Sequence, residues 1–117
     1  LDKGVELVMD ALSLMKGGEN FIPKLPAMKV SDLISTMIPN CEVKVTGIRP
    51  GEKLHEMLIT DDESRRTKDI GVHYVIEPVH DWWDGSHLKD NKKVSDEFRY
   101  SSDNVEVLSK EDFLKYI

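Results

Sequence analysis

A second cysteine is missing from this 117-residue chain. Cys41 stands alone, which excludes an intrachain disulfide and fits a reducing compartment. No apolar run approaches the roughly 20 residues that a membrane-spanning helix needs. The start shows no secretory signal pattern. Positive charge is in deficit: 16 Lys and Arg stand against 22 Asp and Glu, for a net charge of −6. That balance argues against nucleic acid or an anionic membrane as the main partner, yet it leaves room for a local basic pocket that holds a phosphate. Together these features predict a cytoplasmic protein. Hydrophobic residues at 39% and charged residues at 32% suit one soluble domain, residues 1–117, that needs no metal to hold its core. The chain begins at Leu1 and enters a helical pattern almost at once, so a piece of a longer protein is expected.

Chemical signatures are equally sparse. There is no glycine-rich dinucleotide fingerprint and no P-loop. Gly17-Gly18 follows a helical pattern, not a strand, and reads as a helix stop. No tyrosine is followed four residues later by lysine: Tyr74 leads to Pro78 and Tyr100 to Asn104. His55, His73, His80 and His87 lack metal-ligand spacing, and His80, Asp81, Asp84 and His87 read as a solvated loop. Cys41 has no clear basic neighbour that would activate it, so a packed or edge thiol is expected. Arg65-Arg66 follows Asp61-Asp62-Glu63 and reads as local ion pairing. Trp82-Trp83 reads either as a stacking platform or as a hydrophobic anchor. No catalytic, cofactor or metal residue is expected here, and the chain alone is expected to be inactive.

Periodicity supplies the elements. Asp2 is a plausible N-cap for a helix whose Val5, Val8, Leu12 and Met15 recur at helical spacing, with Leu7, Met9 and Ala11 widening the stripe. Phe21-Ile22 is a short extended piece between Gly17-Gly18 and Pro23. Ser31 or Asp32 opens a second helix, with Leu33, Ile34, Met37 and Ile38 facing the core, that ends near Pro39-Asn40. Val43 and Val45 alternate with Glu42, Lys44 and Thr46, which predicts a half-buried strand over residues 41–46. A short helix is expected over Glu52 to Met57, a loop or exposed helical turn over 61–69, and a strand over His73–Ile76. Residues 78–94 are the least regular, and 100–104 read as a loop. Ser109, with Asp112 at its N3 position, caps a closing helix with Phe113, Leu114 and Ile117 on its apolar side. Few strands are apparent, so small two-stranded pieces are expected, or strands that pair with a sheet outside the chain. The fold class is α/β, of the α+β kind: a small helical lobe with short strands.

The most informative run is Gly47-Ile48-Arg49-Pro50-Gly51-Glu52-Lys53-Leu54-His55-Glu56. The expected strand leads into it and the expected helix leaves it. Arg49 and Glu52 then sit at a strand-to-helix turn, where an arginine fork and a carboxylate face one ligand. Arginine's planar donors bind two phosphate oxygens at once. A carboxylate accepts from sugar hydroxyls. The structural alternative stands beside this reading: Pro50-Gly51 is a common turn pair, Glu52 favours a helix start, and Arg49 is a surface cation.

Four runs together carry a resemblance. They are Asn20-Phe21-Ile22-Pro23-Lys24-Leu25-Pro26-Ala27-Met28-Lys29, the run from Gly47 to Glu56, His73-Tyr74-Val75-Ile76, and Tyr100-Ser101-Ser102-Asp103-Asn104. In this order they resemble the C-terminal part of bacterial polysaccharide-biosynthesis proteins of the UDP-N-acetylglucosamine 4,6-dehydratase type, which are extended short-chain dehydrogenase/reductases. The resemblance implies a Rossmann domain elsewhere in the parent, holding NAD or NADP and the catalytic Tyr-x-x-x-Lys. It implies that Arg49 meets the UDP diphosphate and Glu52 the uridine ribose. UDP-sugar is the implied partner. UDP-sugar C4- and C5-epimerases share this end of the chain, so dehydration and epimerisation both stay open, as does a non-catalytic interaction domain of the same fold. Helix faces that would cover a Rossmann domain point to a homo-oligomer.

Overall fold

The computed structural model describes residues 2–115, which divide into two compact units. Unit 1 joins Leu1–Lys24 to Leu58–Tyr100, and unit 2 joins Leu25–Met57 to Ser101–Ile117. The mixed helix-and-strand class is as the sequence implies.

In unit 1, helix α1 (Asp2–Leu14) places Asp2 in its first turn rather than at its N-cap. Its half-buried residues are Leu7, Asp10 and Ala11, while Val5, Val8, Leu12 and Met15 stay exposed. Of the stripe read from sequence, only the widening residues Leu7 and Ala11 are half-buried. Asp10 lies on the same side: its Oδ2 is 2.9 Å from Nε2 of the buried His73 and pins that face of the helix. Gly17 (φ 119) and Gly18 (φ 91) end the helix, as expected. The Glu19 carboxylate closes that end, accepting from the Lys16 N–H at 2.8 Å and the Gly17 N–H at 2.7 Å.

Strand β1 (Asn20–Pro23) follows, and α2 (Val30–Met37) begins one residue before Ser31. Strand β2 is Met57–Ile59 and helix α3 is Asp61–Ser64. Thr60 and Glu63 form a full capping box around α3: the Thr60 hydroxyl accepts from the Glu63 N–H, and Glu63 accepts from the Thr60 N–H at 2.9 Å. Strands β3 (Thr67–Asp69), β4 (His73–Ile76), β5 (Lys92–Lys93) and β6 (Tyr100–Ser101) follow, then helix α4 (Lys110–Phe113).

The expectation of two-stranded pieces is corrected here. β1, β4, β3 and β5 form one antiparallel sheet in that order, with Phe21 opposite Val75 and Lys68 opposite both Val75 and Lys93. β3 and β5 escaped the sequence reading because each is two or three residues long and rich in charge, with no alternation to read. β2 and β6 form a second, two-stranded ladder. Val75, Ile76, Ile59 and Leu88 are the apolar core of unit 1, with Tyr100 beside them. Tyr74, Phe98 and Tyr100 pack ring against ring, with centroids 5.1–6.4 Å apart.

In unit 2, α2 and α4 pack together, and Lys110 Nζ lies 3.9 Å from Asp32 Oδ1. Ser109 caps α4 by accepting from the Asp112 N–H at 3.0 Å, as the sequence implies. Leu33, Ile34 and Phe113 are half-buried, whereas Met37 and Ile38 are exposed. Ile117 lies outside the described residues. The strand expected over 41–46 and the helix expected over Glu52 to Met57 are both absent. Alternation becomes a strand only where a second strand takes up its hydrogen bonds, and 41–46 has none among the described residues. The expected helix is pre-empted by a turn and a cross-chain contact, described next.

Candidate functional site

Arg49 to Glu52 is a type II turn. Pro50 fixes φ at the second position, and Gly51 supplies φ 88 at the third. The Glu52 N–H donates to the Arg49 carbonyl at 3.0 Å. The Glu52 side chain then reaches back: Oε2 accepts from the Arg49 N–H at 2.8 Å, and Oε1 lies 3.9 Å from Arg49 Nε. The turn therefore brings the two side chains to one side, although neither strand nor helix flanks it. The helix-start reading of Glu52 falls, because no helix follows. Its carboxylate braces the turn instead.

Both groups are open to solvent, Arg49 at 79% and Glu52 at 50% side-chain exposure. An exposed pair of this kind contributes about 1 kcal/mol or less. An anion with several oxygens can displace it at small cost, since the Arg49 fork offers donors that the single 3.9 Å contact leaves unused.

Past the turn, the chain bends at Leu54-His55 and meets a second run. The Glu56 N–H donates to Ser102 Oγ at 3.1 Å, and the Ser102 N–H returns to the Glu56 carbonyl at 2.9 Å. His55 Nδ1 lies 3.3 Å from the same Oγ. The Ser101 N–H donates to Asn104 Oδ1 at 2.9 Å, which folds the run back on itself. Ala27 donates to the Glu106 carbonyl and accepts from the Leu108 N–H, both at 2.8 Å. Two of the four sequence runs, Gly47–Glu56 and Tyr100–Asn104, are thus joined through residues far apart in the chain. The sequence reading named Arg49 and Glu52 but not His55 or Ser102. Both lay inside runs already singled out, so their shared membership was the available signal.

The remaining sequence candidates, Cys41 apart, lie in unit 1. The Trp82 ring is exposed and stacks on His80 at 5.1 Å. Trp83 packs inward, against the position a Cβ on Gly85 would occupy and edge-on to His87 at 5.8 Å. The Glu19 side chain is fully buried, 3.0 Å from His87 Nε2. Burial pushes its carboxyl up, but donors from the Lys16, Glu19 and Gly17 backbone and from Trp83 outweigh that and hold it below the ordinary range. Arg65 lies 3.9 Å from Asp62, the local pairing expected, while Arg66 donates to the Glu77 carbonyl at 2.8 Å. Cys41 is exposed. Among the described residues no cluster of His, Cys, Asp and Glu is arranged to hold a metal ion, and no helix is long and apolar enough to cross a membrane.

Comparison with known proteins adds a chemical context. Residues 1–78 match the family described as polysaccharide biosynthesis protein. The chain is 43% identical over 115 residues to a UDP-N-acetylglucosamine 4,6-dehydratase (inverting) of Campylobacter jejuni, covering 89% of this chain and 33% of that protein. It is 34% identical over 128 residues to a Methanocaldococcus jannaschii protein described as an uncharacterized membrane protein, covering 100% of this chain and 36% of that one. The crystal structure of Pen from Bacillus thuringiensis superposes with a TM-score of 0.77 at 30% identity, over 99% of this chain and 34% of that one. The chain spans about a third of the length of the curated relatives it matches.

Proposed function

This chain belongs to the polysaccharide biosynthesis protein family, and on that premise we propose that it is the UDP-sugar-binding portion of a nucleotide-sugar 4,6-dehydratase of the UDP-N-acetylglucosamine type. Dehydration is preferred to C4- or C5-epimerisation because the relative at 43% identity carries a dehydratase name. The observation that carries the reading is the Arg49–Glu52 turn. It holds a guanidinium and a carboxylate 3.9 Å apart on one exposed side. A UDP-sugar has a diphosphate for the first and ribose hydroxyls for the second. In this reading residues 1–117 act as one substrate-binding part of a larger enzyme of glycan assembly. NAD or NADP belongs to a Rossmann part of that enzyme and not to these residues. The chain supplies binding and orientation, and no proton or hydride transfer is assigned to it.

The proposed working state is a homo-oligomer acting on a soluble nucleotide-sugar in the cytoplasm, with nucleic acid and membrane excluded as substrates. Exposed Val5, Val8, Met9 and Leu12 on α1 support self-association.

Calorimetric titration of UDP-GlcNAc into the 117-residue chain tests the reading. The parent sequence should bind, and Arg49→Ala should bind at least about tenfold more weakly, the loss expected for a charge-assisted fork. Arg49→Lys should recover only part, because an ammonium makes no bidentate contact. Equal binding by all three sinks the assignment. Incubation with NAD and UDP-GlcNAc should give no 4-keto-6-deoxy product.

A further inference from the structure

Ser102 grips the end of the Gly47–Glu56 run with three contacts. Its N–H donates to the Glu56 carbonyl at 2.9 Å, and its Oγ accepts from the Glu56 N–H at 3.1 Å. Both polar groups of the Glu56 backbone thus end on one residue. His55 Nδ1 lies 3.3 Å from the same Oγ. The hydroxyl already accepts from Glu56 and has one hydrogen to give. A neutral His55 takes that hydrogen at Nδ1 and carries its own on Nε2. The base of this grip is itself folded. Ser101 is 3% exposed, its N–H donates to Asn104 Oδ1 at 2.9 Å, and the Asn104 N–H donates to the Ser101 carbonyl at 3.1 Å. β6 ends at Ser101 and pairs with β2, which begins at Met57, so Glu56 and Ser102 prolong that ladder by one step.

We propose that Ser102 is a positioning residue for the nucleotide-sugar site: it fixes the place at which the Arg49–Glu52 turn meets the diphosphate. The inference rests on the reading that Arg49 meets that group. Two different devices set the turn. Pro50-Gly51 and the Glu52 carboxylate give it its shape, since their bonds close within residues 49–52. Shape alone leaves its place open. Four residues separate Glu52 from Glu56, a tether that spans about 13 Å when extended. An arginine fork must bring two donors within about 3 Å of two oxygens at once. Holding Glu56 at both its N–H and its carbonyl removes most of that freedom before a ligand arrives, so less ordering is left for binding to supply. His55 gives the same hydroxyl a second hold, one residue nearer the turn.

A double-mutant cycle on UDP-GlcNAc binding, read by calorimetric titration into the 117-residue chain, tests this. Ser102→Ala should bind about fivefold more weakly than the parent, the loss expected for one hydrogen bond of ordinary strength. Ser102→Thr keeps the hydroxyl and should return to within about twofold of the parent. Ser102→Ala should add less than about twofold to the loss caused by Arg49→Ala, because a residue that works by placing Arg49 has nothing left to place once the guanidinium is gone. A merely structural role would instead add its full loss to either background. If Ser102→Ala loses the circular dichroism of the parent, Ser102→Cys stands in for it: its thiol fills the space and accepts weakly, so the same loss and the same non-additivity are expected. Binding by Ser102→Ala equal to the parent, additive losses, or a threonine variant as weak as the alanine one would each overturn the proposal while leaving the dependence on Arg49 intact. A parent that does not bind, or that binds equally without Arg49, overturns the UDP-sugar reading and this inference with it.

Discussion

Unit 1 and unit 2 use the same alphabet to different ends. Every buried hydrophobic residue among those described, Ile59, Val75, Ile76, Leu88 and Tyr100, belongs to unit 1. Unit 2 holds Arg49, Glu52, His55 and Ser102 and buries only Ser101. Unit 1 satisfies its backbone in a four-stranded sheet, whereas residues 42–46 of unit 2 satisfy theirs in none. The difference teaches where free energy comes from in each. Unit 1 is held by apolar burial, and unit 2 by turns, caps and side chain–backbone bonds, each contributing about 1 kcal/mol. A region held in that second way gains more from a ligand, because binding supplies what its core does not.

The comparison breaks if the two units respond alike to truncation. Ile59→Ala should cost about 2–5 kcal/mol by leaving a cavity at a fully buried site, read as a fall in melting temperature. Val45→Ala, at an exposed site, should change stability by less than about 0.5 kcal/mol. A large loss for Val45→Ala would mean that 41–46 packs against something within the chain.

A second test sharpens the contrast at a turn. An added Cβ at Gly85 would sit 2.4 Å from the Trp83 ring, at a backbone φ of 61 that side chains disfavour. Gly85→Ala should cost about 1–3 kcal/mol in the same melting assay. Gly51→Ala, also at positive φ but with open space around it, should cost only about 1 kcal/mol of backbone strain. Arg49→Ala should move in the other coordinate, with weaker UDP-GlcNAc binding at an unchanged melting temperature. Glu52→Gln should lose about 1–3 kcal/mol of binding and less than about 1 kcal/mol of stability. If both variants bind normally and only melt earlier, the turn is structural.

The smallest effect concerns acid. Hydrogen bonds from the Thr60 backbone and hydroxyl hold the Glu63 carboxyl below its ordinary value of 4.5, and Glu19 is held below 4.5 as well. Both carboxyls are lowered in the folded state, so their stabilisation is complete above pH 4.5 and is lost as pH falls through the lowered values. Glu63→Gln should melt slightly earlier at neutral pH, by about 1 kcal/mol, with a shallower decline below pH 4.5. An unchanged acid limb would remove Glu63 from the account.

What the sequence made legible follows the same division. α1, β1, β4, the Gly17-Gly18 stop and the Ser109 cap are local events, each written in adjacent residues. The capping box of Thr60 and Glu63 was equally local and was read only as an exposed turn. β3 and β5 were illegible because Lys68, Lys92 and Lys93 give them the look of solvent. Residues 41–46 and Glu52 to Met57 were misread for a different reason. Their fate depends on partners: a strand that is not among the described residues in one case, and Ser102, 46 residues from Glu56, in the other. The side-by-side placement of Arg49 and Glu52 was legible, because Pro50-Gly51 specifies its turn almost alone. Its supposed strand and helix were not.

The order in which the chain visits its units has a consequence for evolution and for engineering. Residues 25–57 interrupt unit 1 between Lys24 and Leu58, so the sheet partners β1 and β4 must find each other across a long detour. Closing a loop grows costlier by only about 0.6 kcal/mol for each doubling of its length. The detour is therefore cheap to lengthen, shorten or replace, provided the sheet keeps its ends. The residues proposed to meet a ligand sit on the part of the chain whose length is least constrained, and the residues that hold the fold sit on the part that cannot vary.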